Sequence, residues 1–146
     1  MSRDDDAMSE SFFLSNMCPQ EGSLNSGKWS VLEARIRDWV RERGRLWIIT
    51  GPIFTAGPQW ERHRVIGDDH VAVPPAFYKI VVDARQGRTP EVLAFWMPNQ
   101  GLTGHDLEEY LRSVDEIERA TGLDFLSGLP QEVQARVEGE AAEALW

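Results

Sequence analysis

Trp29, Leu32, Ile36 and Val40 recur at intervals of three and four between polar and charged residues, which paints one apolar stripe along a helix. The spacing predicts an amphipathic helix from about Asn25 to Arg43, with Gly44 as its stop. Leu46–Thr50 (L-W-I-I-T) then reads as a buried strand ending at Gly51-Pro52. Gly57-Pro58 and Gly67-Asp68 mark turns in a loop-like stretch from Phe54 to Asp69. Strand candidates follow at Val71–Val73, Phe77–Val82 and Val92–Met97, separated by Pro74-Pro75 and Gln86-Gly87. Ser113 with Glu116 three residues on is a capping box, opening a short helix that ends at Gly122. Pro130 followed by Val133 and Val137 begins a last short helix. Strands interspersed with helices, joined by hairpin-scale turns, predict an α+β fold with a mainly antiparallel central sheet flanked by helices.

At 146 residues the chain suits one domain, and neither a repeat nor a linker divides it. Residues 138–146 are expected to form a flexible, acidic tail, and Ser2–Glu10 a frayed start. No apolar run approaches the roughly 18 residues that cross a bilayer, so no membrane partner is expected. The single cysteine, Cys18, excludes an intramolecular disulfide and reads as a small packed residue.

Charge changes the picture. A net charge of −9 argues against binding nucleic acid over the whole surface. The distribution is uneven: seven arginines lie between Ala34 and Arg64 against three acids, whereas Asp106–Trp146 holds eleven acids against three arginines. A local basic face on an acidic body fits a protein that meets phosphate at one place.

Three polar residues near the first helix are candidates for chemistry. Asn25, ahead of the apolar stripe, reads either as a helix N-cap or as an oxygen ligand for a hard divalent cation. Glu33 lies eight residues on, just over two helical turns, and so projects toward the same side. It can accept hydrogen bonds from metal-bound water, or pair on the surface with Arg37 at i+4. Asn16, in L-S-N, reads by itself as a turn or strand-end residue that satisfies loop backbone groups. His63, His70 and His105 each read as a surface or framework histidine.

The run Phe12–Glu33, with L-N-x-x-x-W-x-x-L-E at Leu24, Asn25, Trp29, Leu32 and Glu33, is similar to the DNA/RNA non-specific endonucleases of the ββα-metal class. Thr50–Phe54 (T-G-P-I-F), Val71–Lys79, Met97–Asn99 (M-P-N), Val114–Leu123 and Gly128–Ala135 resemble that family in the same order, so the likeness spans about residues 7–137. The resemblance implies a sheet flanked by helices and a site on a hairpin-plus-helix unit. It also implies Asn25 as the metal ligand, Glu33 as a supporting carboxylate and Asn16 beside the scissile phosphate. Mg²⁺ is the implied cofactor, with Mn²⁺ as the alternative, and DNA and RNA are the implied partners.

The family's catalytic histidine and a neighbouring arginine come from a D-R-G-H segment, and that run occurs nowhere in this sequence. The expectation is an N-terminally truncated endonuclease that is inactive or weak alone. An exposed sheet edge would then favour a homodimer. Two rival readings are a non-catalytic relic that binds nucleic acid or protein, and an enzyme completed in trans by a histidine from another chain.

Overall fold

A computed structural model describes residues 18–54, 64–85, 87–103 and 106–146. The chain forms a helix α1 (Ser30–Arg43) and a strand β1 (Trp47–Ile53). A two-stranded ribbon follows, β2 (Val65–Ile66) with β3 (Val71–Ala72), and then the long strands β4 (Ala76–Asp83) and β5 (Glu91–Pro98). A 3₁₀ turn (Leu107–Tyr110) leads into a two-residue strand β6 (Leu111–Arg112), and helices α2 (Val114–Thr121) and α3 (Gln131–Glu138) complete the order. The main sheet is antiparallel throughout, in the order β1-β4-β5-β6. This is the α+β architecture that the hydrophobic pattern predicts.

Every residue of β4 is buried, because β4 is a central strand covered on both faces. Phe77 and Val81, with Leu93, Phe95 and Met97 of β5, pack beneath α1 through Trp29, Leu32, Ile36 and Trp39. On the other face Tyr78, Ile80 and Val82 meet Val114 and Ile117 of α2, together with Phe125. Alternation along one strand thus divides the core into two layers.

Two expectations are corrected in detail. The buried stripe of α1 continues from Ile36 to Trp39, at i+3, while Val40 stays 37% exposed at its rim. The strand at Leu46–Thr50 runs instead from Trp47 to Ile53, straight through Gly51-Pro52, and is largely exposed, with Trp47 at 59% and Ile48 at 47%. Among the described strands it lies at one end of the sheet, paired only with β4. That place in the sheet fits both the exposure and the presence of a proline, which sheets confine largely to outer strands.

The segment expected as a flexible tail lies against α1: Ala142, Leu145 and Trp146 pack on the first core layer.

Candidate functional site

The chain reaches α1 through two short helical turns. Glu21 caps the turn Gly22–Leu24, and its carbonyl accepts the N–H of Asn25 at 2.9 Å. Asn25 has helical dihedrals (φ −58°, ψ −49°) as the C-cap of that turn, so it is not the N-cap that its place before an apolar stripe suggests. A wide turn, Asn25–Trp29, follows and is interrupted at Gly27, whose backbone (φ −99°, ψ −118°) leaves the helical region. Asn25 and Glu33 therefore do not ride one continuous helix, and the eight-residue spacing alone does not fix their relative direction.

Burial does separate their roles. Leu24 and Leu32 are fully buried and Trp29 nearly so, packed edge-on against Phe77 with ring centroids 5.8 Å apart. Asn25 is exposed and Glu33 half-exposed. The apolar members of L-N-x-x-x-W-x-x-L-E anchor the segment to the sheet, while its two polar members stay accessible to solvent.

The loop preceding Asn25 is held by Asn99, the last residue of M-P-N. Its side-chain oxygen accepts the Glu21 N–H at 2.7 Å, and its amide nitrogen donates to the carbonyls of Pro19 (3.1 Å) and Pro74 (2.9 Å). One side chain thereby joins the approach to Asn25, the entry to β4 and the exit of β5. The sequence marks Asn99 only as framework; an asparagine directly after a strand-ending proline is its one local signal. Gln20, beside this clamp, buries its amide nitrogen without a hydrogen-bond partner among the described residues.

Glu33 does not take the expected i+4 partner. Its carboxylate lies 3.7 Å from the ammonium of Lys79, a residue of β4 whose side chain is 7% exposed. The same ammonium sits 4.4 Å from the centre of the Trp29 ring. Burial pushes the Lys79 pKa below the usual lysine value, and the nearby negative charge of Glu33 opposes that shift.

Asn16, His63 and His105 lie outside the described residues. His70 is exposed in the β2–β3 turn at φ 53°, with its Nδ1 2.9 Å from the carbonyl oxygen of Asp68. It serves the turn. Burial raises the Cys18 pKa, as suits a packed thiol.

The basic stretch is partly neutralised. Arg41 pairs with Asp38, Arg64 with Glu21, and Arg43 with both Asp83 and Glu91. Asp83 is nearly fully buried; burial alone would raise its pKa, but Arg43 and Arg85 hold it below the ordinary carboxylate value. Arg43 is therefore a structural tie between α1 and the sheet. Arg35, Arg37 and Arg45 remain exposed.

A group of acids, Asp115, Glu118 and Glu138, brings carboxylate oxygens within 4.8 Å of one another. It belongs to α2 and α3, which pack over the sheet face opposite α1, so it is separate from Asn25. Among the described residues, no helix is long and apolar enough to cross a membrane.

The antiparallel sheet thus carries α1 on one face, with Asn25 exposed in the turn before that helix and Glu33 half-exposed in its first turn. The family model for DNA/RNA non-specific endonucleases matches residues 1–132, and the chain belongs to that family. It is 37% identical over 137 residues to mitochondrial Nuclease 1 of Schizosaccharomyces pombe, covering 86% of this chain and 42% of the relative. It is 35% identical over 129 residues to human mitochondrial Endonuclease G, covering 84% and 43% respectively. A crystal structure described as the EndoG/EndoGI complex, showing the mechanism of EndoG inhibition, superposes with a TM-score of 0.73 at 29% identity, over 84% of this chain and 53% of that one. The chain spans less than half the length of these curated relatives.

Proposed function

We propose that this chain carries the metal-holding part of an endonuclease that hydrolyses phosphodiester bonds in DNA and RNA. The observation that supports this reading best is the division of labour at Leu24–Glu33: three buried anchors fix the backbone, while Asn25 is left exposed and Glu33 half-exposed. A hard cation such as Mg²⁺ takes oxygen ligands, keeps several waters and often uses only one or two protein groups. An exposed amide oxygen with a carboxylate further along suits that demand, and Mn²⁺ suits it equally. Asn25 would hold the ion and Glu33 would accept hydrogen bonds from its waters, with Asn16 beside the phosphate. When bound, the ion supplies charge stabilisation at the phosphate and the leaving oxygen.

The protein's own work is positional. Asn99 fixes the approach to Asn25, and the Trp29–Phe77 contact fixes the turn between Asn25 and α1. Contacts directed at phosphate carry no base identity, which accounts for action on both nucleic acids. A base near neutral pKa is still needed to deprotonate water, and histidine is the usual choice. His70 is committed to a turn, and no D-R-G-H run occurs in the sequence. The purified chain is therefore expected to turn over little by itself.

The test uses supercoiled plasmid with Mg²⁺ or Mn²⁺, with and without a D-R-G-H-bearing segment added in trans, beside EDTA and Asn25→Ala controls. Metal-dependent nicking that appears with the added segment and disappears in Asn25→Ala supports the proposal. Nicking that ignores Asn25→Ala, or Mn²⁺ affinity unchanged by it, refutes the assignment of Asn25.

A further inference from the structure

Lys79 is the one charged residue in the interior of β4, in the run Ala76–Asp83 (A-F-Y-K-I-V-V-D). It shares its strand face with Phe77 and Val81, the residues that pack beneath α1. A lysine here is costly, because an ammonium withdrawn from water forfeits its hydration and buried lysines are rare unless paired. A methionine of similar length would fill the slot without that cost, and replacing a buried ion pair with an apolar residue is often neutral or stabilising. Packing therefore does not explain the residue. Its contacts do: one side of the ammonium rests on Trp29, 4.4 Å from the ring centre, and the other faces Glu33 at 3.7 Å.

The geometry is directional. Trp29 is itself fixed, nearly buried and edge-on to Phe77, so the ring that carries the ammonium cannot drift. Glu33 is about half exposed and stands in the first turn of α1, where several rotamers are open to a glutamate. A rigid cation beside a mobile carboxylate selects the rotamer of the carboxylate. The cation–π contact keeps Lys79 in place at the cost of little freedom, and so its charge acts as a fixed pin rather than a flexible partner.

We propose that Lys79 is a positioning residue of this site: by holding the Glu33 carboxylate in one orientation, it lets Glu33 order the waters of an ion at Asn25. This rests on the reading of Asn25 and Glu33 given above and names a further member of that site. Groups behind a metal's immediate ligands commonly alter affinity by about 10–100-fold when lost, which sets the scale.

The experiment is a double-mutant cycle on Mn²⁺ affinity of the full chain, read by electron paramagnetic resonance of free Mn²⁺, with thermal unfolding of each variant alongside. The variants are Lys79→Met, Lys79→Arg, Glu33→Gln, the Lys79→Met/Glu33→Gln pair and Asn25→Ala. The inference expects Lys79→Met and Glu33→Gln each to weaken Mn²⁺ binding about tenfold, with the pair no weaker than either alone. Lys79→Arg should recover part of the affinity, since a guanidinium keeps the charge but not the compact point contact. A merely structural lysine would shift unfolding while leaving Mn²⁺ affinity unchanged; that result in a folded Lys79→Met overturns the inference. Losses that multiply in the pair also overturn it, because Lys79 would then act independently of Glu33. Should Lys79→Met fail to fold, Glu33→Gln and Lys79→Arg carry the test, and wild-type affinity in both overturns it. Mn²⁺ binding indifferent to Asn25→Ala, or none in the wild type, brings down the metal-site reading and this inference with it. Loss in Asn25→Ala with no effect at Lys79 brings down the inference alone.

Discussion

Trp146 packs edge-on against Trp39 of α1, with ring centroids 5.4 Å apart, and its carbonyl oxygen accepts a hydrogen bond from the Trp39 indole N–H at 3.0 Å. The Arg43 guanidinium lies 4.2 Å from the centre of the Trp146 ring while bonding Asp83 at 3.0 Å and Glu91 at 2.7 Å. One aromatic ring thus covers both a fully buried indole and the ion-pair cluster that ties α1 to β4 and β5. Removing it should expose the Trp39 edge and strip the ring contacts that hold the main-chain oxygen of residue 146 against the Trp39 N–H. Trp146→Ala is expected to destabilise the protein by about 2–4 kcal/mol, within the usual range for truncating a packed aromatic. For a chain of this size that is a fall in Tm of roughly 5–12 °C. Trp146→Phe should recover the ring contacts and most of the loss, and melts of the two variants side by side check the account. Equal melts for wild type and Trp146→Ala would contradict it.

Asn99 offers a sharper test of how the loop before Asn25 is held. Its amide serves one donor and two acceptors on two separated segments. Asn99→Ala leaves those backbone groups without their partner, at a cost of about 2–3 kcal/mol. Asn99→Asp keeps the acceptor for the Glu21 N–H but sets a carboxylate oxygen against the carbonyls of Pro19 and Pro74. It should therefore be no better than alanine at neutral pH, despite its near-identical shape. Urea unfolding curves for the three proteins distinguish a hydrogen-bond clamp from a space-filling residue.

Glu138 gives the stability a pH dependence of definite sign. It is buried at the end of α3, and its pKa is raised to about 7, first by desolvation and then by Glu118, Asp115 and Asp124, against the hydrogen bond from Gln134. The folded state therefore holds its proton more tightly than the unfolded chain, whose glutamate titrates near its ordinary value of 4.5. The resulting stabilisation is complete below that value and is lost as pH rises through about 7, amounting to at most about 3 kcal/mol. Glu138→Gln keeps the shape and removes the titration. It should gain stability relative to wild type as pH rises from 5 to 8, which denaturant midpoints across that range will show. Parallel pH profiles for the two proteins would dismiss this role.

What could be read from sequence follows a physical division. Helices announced by periodicity and caps were legible: Gly44 ends α1 with its N–H bonded to Val40, and Ser113 with Glu116 forms the complete capping box of α2. The same local signals mislead where the outcome depends on distant partners. L-W-I-I-T looks like a buried strand, and only the sheet order puts it at the end of the described strands. Val40 and Trp39 both suit the helix stripe, and the choice falls to Trp39 because Trp146 meets it 107 residues away. At the site, Asn25 and Glu33 could be singled out from their spacing and the family likeness. Lys79 and Asn99 could not, since their roles consist of contacts to Trp29, Glu33, Pro19 and Pro74 that no local pattern encodes.

Gly51 is a case where local preference and tertiary contact point in opposite directions. On an extended strand, alanine would ordinarily be favoured over glycine by about 0.4–1 kcal/mol, through the smaller entropy of the unfolded chain. A Cβ at Gly51, however, would lie 2.7 Å from the Tyr78 hydroxyl oxygen and 2.9 Å from two ring carbons. Tyr78 is 5% exposed and packs on Phe125 with ring centroids 5.3 Å apart, so it cannot swing aside. Overpacking of this kind costs about 1–3 kcal/mol and outweighs the entropic gain. Gly51→Ala should therefore lower Tm by a few degrees. Gly22, with nothing within 4 Å of its Cβ position and helical surroundings, is the matched control. Gly22→Ala should hold or raise Tm, because alanine is the better helix former. If both alanine variants melt alike, the Tyr78 ring is not the reason for glycine at this position.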